Sequence, residues 1–418
     1  MKKQLALLLL LISASPVFSQ TIKVLFDARH AQMAANADWI VDSDTYNIGT
    51  GTGGVMVTGA GNEANPQRYP TPAQSGITST TSETYWKGSN SAWGVALAKR
   101  GYIIETLPYN GSITYGVTTN AQDLANYKVF ICVEPNIRFT TSEKQAILQF
   151  VQNGGGLFMV GNHNGSDRNN DTYDASMIWN DLMTNNGTVN NPFGIAFDQL
   201  NFSETTTNFA ALTNSTILSG TYGNPTRMKF SSGNSMTINR TANPNVVALV
   251  YRTGFSRTGT TGVMMCTSRY GNGKVVSLGD SSPPDDGTGD TNDALFNGWT
   301  GDVSGDHQRI IMNASVWLTN TSINRMENPS NAADAFEIFP NPANTQATIS
   351  FLAQNEGNYT IELYDLVGKK VLTQSVNAAQ GHNMESIDLS SAPKGIYLVQ
   401  LTGNGTRSVS KLVVSDKQ

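Results

Sequence analysis

The stretch KVFICVEPNIRFTTSEKQAILQFVQNGGGLFMV, residues 128–160, decides the fold of the middle of this 418-residue chain. Its two ends, KVFICVE (128–134) and GLFMV (156–160), are short runs of β-branched and aromatic residues, the composition of strands buried on both faces. Between them, Ala146, Ile147, Phe150 and Val151 fall at helical spacing within Thr141 to Asn153. Thr141 or Ser142 is placed to cap that helix, and Gly154 to Gly156 stop it. Strand, helix, strand with a tight glycine turn is a βαβ unit, and its crossover makes the two strands parallel.

Working outward, the same pattern recurs. IKVLFD (22–27) reads as an earlier strand, and Ser91 to Arg100 as a helix feeding the strand Tyr102 to Thr106. Gly273 to Leu278 makes a late buried strand, and His307 to Leu318 a closing amphipathic helix. A helix is also expected over Ala28 to Ile40, and capping it is the alternative to a functional role for Asp27. Positions 195 to 270 read mainly as β with loops. The fold class expected for residues 20–320 is α/β, with an open, mostly parallel sheet.

The two ends have other work. Lys2 and Lys3, the apolar run Leu5 to Ile12, and Val17 and Ser19 placed before Gln20 form a secretory signal peptide over residues 1–19. No later segment is long and apolar enough for a transmembrane anchor. At the other end, period-two alternation in Thr360 to Tyr364, Ile396 to Leu401 and Ser408 to Val414, broken by turn residues, predicts an all-β, immunoglobulin-like sandwich over residues 336–418. Residues 321–335 are the expected linker.

Composition narrows the function classes. With Lys and Arg totalling 27 against 32 Asp and Glu, and no basic stripe, the chain has no nucleic-acid footprint. Cys132 and Cys266 are the only cysteines. Both sit in apolar runs and read as buried strand thiols, with a disulfide between them left open.

Two resemblances follow from these residues. FPNP (339–342), Tyr364-Asp365 with Gly368-Lys369, Gly395-Ile396-Tyr397 and the terminal Lys411 to Val414 resemble the type A sorting domain of the type IX secretion system. That resemblance implies passage through the periplasm to the outer-membrane surface or the medium. Its implied partners are the type IX secretion machinery and a sorting protease that removes the domain. LANYKVFI, TTSEKQAILQFVQNGGGLFMVGNH and RYGNGKVVSLGDSS resemble the class I glutamine-amidotransferase-like fold, especially its trehalose-utilisation-like branch, within the wider flavodoxin-like class. Amidotransferases carry a nucleophilic Cys on the turn after the strand matching residues 156–160. This chain has Gly161-Asn162-His163 there, so Cys-dependent glutamine hydrolysis is not expected.

Open α/β sheets bind ligands beyond the carboxyl ends of their strands. Asp27 and His30 follow the first strand, Glu134 ends a later one, and His163 follows the third. Asp280, Asp285 and Asp286 follow the late strand. His163, Asp27 and Asp280 are the expected catalytic groups, activating water or a substrate hydroxyl. His30, Glu134, Tyr85 and Trp86 are the expected substrate-binding residues, the two aromatics as platforms for sugar rings. Asp167, Asn169 and Asp171, and again Asp286 and Asp290, offer oxygens at alternate positions, the pattern of a divalent-cation loop. Calcium is expected ahead of zinc, and no organic cofactor is expected. A secreted hydrolase of an extracellular carbohydrate or related polymer is the leading expectation. A calcium-stabilised, non-catalytic glycan-binding or surface protein is the alternative.

Overall fold

The computed structural model describes residues 21–30, 39–41, 49–50, 56–57, 68–108, 110–167, 171–212, 215–289, 296–319, 336–353, 355–403 and 406–415. The expected signal peptide, the linker and most of the helix expected over Ala28 to Ile40 lie outside these residues. Residues 28–30 themselves form a bend and no helix.

The middle region runs β1 (Lys23–Asp27), a short pair β2 (Gly49–Thr50) and β3 (Met56–Val57), α1 (Ser91–Lys99), β4 (Ile103–Leu107), β5 (Val129–Val133), α2 (Thr141–Gln152), β6 (Gly156–Val160) and α3 (Ala175–Thr184). It continues with β7 (Ile195–Phe197), β8 (Phe202–Thr206), β9 (Met228–Gly233), β10 (Met236–Ile238), β11 (Val247–Tyr251), β12 (Val263–Tyr270), β13 (Gly273–Leu278) and α4 (Asp306–Thr319). A nine-stranded sheet has the order β4-β1-β5-β6-β13-β12-β10-β7, with β11 also pairing β12. From β4 to β13 every pairing is parallel; beyond β13 every pairing is antiparallel. The sheet is therefore mixed around a parallel core, where the sequence suggests a more uniformly parallel one.

Strand alternation sends neighbouring side chains to opposite faces. Val24 and Phe26 enter one core with Trp93 of α1 and Ile310 and Ile311 of α4. Leu25, Phe130 and Cys132 enter the other with Ile147, Phe150 and Val151 of α2 and Trp179 of α3. Trp93 shows how tightly the first face is filled. Its ring meets Phe26 and Phe158 edge-on at 5.4 and 4.9 Å, and its indole N–H donates to Ser315 Oγ at 3.0 Å. Truncating a side chain so placed to Ala costs about 3–5 kcal/mol.

Helix α2 begins at Thr141, and its cap lies one residue before those the sequence suggests. Thr140 is the cap, accepting from Glu143 N, while the Glu143 carboxylate accepts from Thr140 N. This reciprocal pair satisfies two donors that a helix start otherwise leaves open. Gly154, at φ +108°, makes the turn into β6 that a residue with a Cβ resists.

The C-terminal region is all antiparallel β: β14 (Glu337–Phe339), β15 (Gln346–Ala353), β16 (Gly357–Asp365), β17 (Lys370–Ala378), β18 (Gly381–Asp388), β19 (Gly395–Gly403) and β20 (Thr406–Val414). Sheets β14-β15-β18 and β17-β16-β19-β20 enclose a core of their own that includes Phe351, Tyr359, Ile361, Leu363, Ile387, Val399 and Leu412.

Candidate functional site

Because β1, β5, β6 and β13 are parallel, Asp27, Glu134, His163 and Asp280 all follow the same, carboxyl edge of the sheet. Their side chains then do different things. Asp27 Oδ1 accepts from the backbone N–H of Arg29 and His30 at 2.8 and 3.1 Å, and Oδ2 lies 3.0 Å from His30 Nδ1. His30 Nε2 lies 3.5 Å from the Glu143 carboxylate, and Phe139 packs on the imidazole at 4.7 Å. Asp27 and His30 are 2% and 1% exposed. Burial disfavours a charged imidazole, but Asp27 and then Glu143 overcome it and hold the His30 pKa up to about 9. In return, and against its own burial, Glu143 is drawn down to about 2 by His30 and by Thr140. Burial and the Asp27 charge push the Cys132 thiol well above its usual range. Both cysteines are free and buried. This group ties the bend after β1 to the start of α2, where Thr140 and Glu143 line a separate cavity of about 430 Å³. Asp27 and His30 are thus closed into a structural network, where the sequence suggests a catalytic and a substrate-binding role.

Asp280 is different. It is fully buried, yet its hydrogen bonds reach toward open space. Its carboxylate accepts from Ser231 N at 2.6 Å, Ser282 N at 2.9 Å and Ser282 Oγ at 2.7 Å. Burial raises its pKa to about 7 despite these donors. Next to it, Ser281 Oγ donates to Glu134 Oε2 at 2.7 Å, joining the ends of β13 and β5 across β6. Glu134 is buried at a left-handed φ of +46°, a placement that costs energy for a residue with a Cβ.

Ser231 and Ser282 line a cavity of about 330 Å³ with Arg227, Lys229, Phe296, Asn297, Asp302 and His307. Strand β9 and the residue before it contribute Arg227, Lys229 and Ser231, the segment after β13 contributes Ser282, the approach to α4 contributes Phe296, Asn297 and Asp302, and α4 itself His307. Arg227 is held by Asp302 at 2.7 Å and lies 3.7 Å from Asp306. The imidazole of His307 is committed on both sides. Nε2 accepts from Lys229 N at 3.0 Å, and Nδ1 donates to Gly298 O at 2.8 Å. Burial lowers its pKa, so it stays neutral. Lys229, Asn297 and the ring of Phe296 are exposed. A sugar-sized space with hydroxyl, amide and ammonium groups on its walls and one open ring at its mouth suits a polar, hydroxylated ligand. A larger groove of about 500 Å³ lies beside β4, walled by Tyr69, Pro70 and Ile104, away from the carboxyl edge.

The other expected site residues are placed elsewhere. His163 is half-buried, with Nδ1 2.9 Å from Asn164 O and 3.2 Å from Asn201 Nδ2; its partners are neither Asp27 nor Asp280. Trp86 is 1% exposed and donates to Pro72 O, so it is a core ring and no sugar platform. Tyr85 packs beside it and donates to Ala73 O. Within the described residues, the expected cation loops use their carboxylates on backbone donors. Asp167 accepts from Asp171 N and Thr172 N, and Asp171 accepts from Tyr173 N. Asp286 accepts from Ala92 N at the start of α1 and from Thr288. These bonds make self-closing turns and a helix cap. Asn169 and Asp290 lie outside the described residues. Among the described residues no group of three or more His, Cys, Asp or Glu is arranged to hold a metal ion.

Lys229 and Ser231 escape a reading of the sequence because β9 reaches the rim through long-range bonds, Ser231 N to Asp280 and Lys229 N to His307. The one local signal is the SS following Asp280, a hydroxyl pair directly after a strand-end carboxylate.

No curated protein matches the chain. Among solved structures, the mmIFT52 N-terminal domain is similar at a TM-score of 0.37 and 15% sequence identity, over 56% of this chain and 92% of that one. No helix among the described residues is long and apolar enough to cross a membrane. Residues 337–415 match the secretion system C-terminal sorting domain, of type IX, and the protein is therefore secreted or placed on the cell surface with the type IX machinery as a partner.

Proposed function

We propose that the protein is a secreted or surface hydrolase of an extracellular carbohydrate or related polymer, with Asp280 as the base and Ser282 as its relay in the cavity beyond β13. The observation that carries this reading is the 2.7 Å bond from Ser282 Oγ to Asp280 at the floor of that cavity. A carboxylate whose pKa burial raises to about 7 is a better proton acceptor than an ordinary one, yet is still largely ionised just above neutrality. In the proposed step, a water against Ser282 gives its proton to Ser282 Oγ while Ser282 passes its own to Asp280. The water oxygen attacks the glycosidic or ester carbon, that carbon's bond to the leaving oxygen breaks, and the proton held by Asp280 returns through Ser282 Oγ to the leaving oxygen, which departs as an alcohol. Lys229 faces the same space and counters the developing negative charge. The amidotransferase-like reading of the fold belongs to this proposal. It is supported by the parallel order β1-β5-β6-β13 with helices on both faces.

Turnover on a panel of glycans and glycan esters tests this. Ser282→Ala and Asp280→Asn each lower kcat/KM by about 10²-fold or more, the scale of a lost general base. Wild-type kcat/KM rises with pH through about 7 as Asp280 loses its proton. Undiminished turnover in Ser282→Ala ends the reading.

The commitment of His307 to Lys229 N and Gly298 O favours a second reading, in which the cavity binds glycan without chemistry. Phe296→Ala and Lys229→Ala then weaken binding, while Ser282→Ala leaves it unchanged and no substrate turns over.

A further inference from the structure

At the pole opposite the candidate site, the amino-terminal edge of the sheet carries a buried cation. Arg100 follows α1 directly, and its side chain is 7% exposed. Its guanidinium faces Tyr102 at 5.8 Å, Tyr222 at 5.5 Å and Phe339 at 4.7 Å, measured to the ring centres. Nη1 donates to Tyr222 Oη at 3.2 Å, and Nη2 donates to Glu337 Oε2 at 2.5 Å. Two of these partners, Glu337 and Phe339, belong to β14, the first strand of the sorting domain. The neighbouring backbone fits the same contact. Gly101 has φ +81°, and a Cβ there would lie 3.1 Å from Pro340. Ser350 Oγ donates to Thr221 O at 3.4 Å. Tyr102 Oη and Thr319 Oγ1 are 3.2 Å apart, which fixes the socket beside the end of α4, where the chain leaves toward β14.

We propose that the Arg100 socket is a docking surface for the chain's own sorting domain, which is carried as a fixed body at the pole away from the cavity. A guanidinium removed from water needs a carboxylate and polar acceptors to stay charged, and aromatic faces add to the attraction. The α/β region supplies the cation and two tyrosines; β14 supplies the carboxylate and the third ring. Domains joined by a linker move independently by default unless such an interface holds them. Docked in this way, the tail leaves the rim open, so ligand access to the cavity does not await removal of the sorting domain.

Small-angle X-ray scattering on the full chain reads this directly. The wild-type profile is that of one compact body. Glu337→Lys places a second cation against Arg100 from a side chain that is 26% exposed on the tail, so it separates the two bodies without disturbing either core. Its radius of gyration rises by several ångström. Glu385→Lys makes the same change of charge at a half-buried position of β18 and serves as the control. It retains the wild-type profile. An extended wild-type profile, a Glu337→Lys profile that superposes on wild type, or an equal expansion in Glu385→Lys overturns the proposal. Circular dichroism melts of each variant confirm that both cores are folded when the profiles are compared.

Discussion

His30, Asp280 and Asp285 all titrate away from their ordinary ranges, and the signs of those shifts combine into one prediction. Burial raises Asp280 and Asp285 to about 7, so the folded chain holds their protons more tightly than the unfolded chain does. Their contribution is complete below the ordinary carboxyl value near 4 and is lost as pH rises through about 7. His30 is raised from 6.5 to about 9, so its contribution is complete below 6.5 and is lost as pH rises through about 9. These contributions, with that of Asp286 raised to about 6, act in the same direction and outnumber the opposite ones of His307 and Lys274, whose values burial lowers, so Tm falls as pH increases from 5 to 8. Asp285→Asn flattens the portion between pH 5 and 8, where the carboxyl sheds its proton. A Tm that climbs over that interval contradicts the assigned burial. What sequence conveys at this scale is position and not partner. Asp27, Glu134, His163 and Asp280 share the expected edge, but a strand-end carboxylate reads the same whether it caps a bend, as Asp27 does, or underlies a cavity, as Asp280 does. Trp86 was equally opaque. A tryptophan in a long loop has the same residue type buried or open, and only the packing of α1 decides it.

Helix α2 is where local and long-range forces meet. Thr140 supplies the cap, while Glu143 both completes the capping box and faces His30. Thr140→Ala removes one capping bond and costs about 1 kcal/mol. Glu143→Ala removes the cap's second half and leaves a buried imidazolium short of a carboxylate, for about 3–5 kcal/mol. Urea unfolding of the two variants gives that order. Equal losses show that His30 gains nothing from Glu143. The elements themselves were largely legible: β6 and β13 begin and end where their apolar runs do, since strands buried on both faces leave a continuous hydrophobic signature. Strands β7 to β12 were blurred for a physical reason. Their pairing is antiparallel and partly at the sheet margin, with bulges in β11 against β12, so side chains alternate in exposure and register shifts break the period.

At the scale of the whole molecule the chain divides by core. The two clusters flanking the large sheet and the cluster inside the C-terminal sandwich share no residue. The contacts that cross are those of Arg100, Pro340 and Ser350, at the edge away from the cavity. The sorting signal and the fold of the exported domain are therefore separable properties. This is also why the tail was the most legible part of the sequence. Period-two alternation and its turn motifs are local, and they require no knowledge of what the other residues do. The separation predicts two outcomes from one truncation that ends the chain at Thr319. Without residues 337–415 the protein is no longer delivered to the surface or medium, and cell fractionation finds it retained inside the envelope. The truncated chain still melts cooperatively and keeps the ligand behaviour of its cavity, because Asp280, Ser282 and Lys229 draw no contact from the tail. Delivery with the tail absent removes the sorting role. Loss of the cooperative melt shows that the Arg100 contact stabilises the α/β fold as well as positioning the tail.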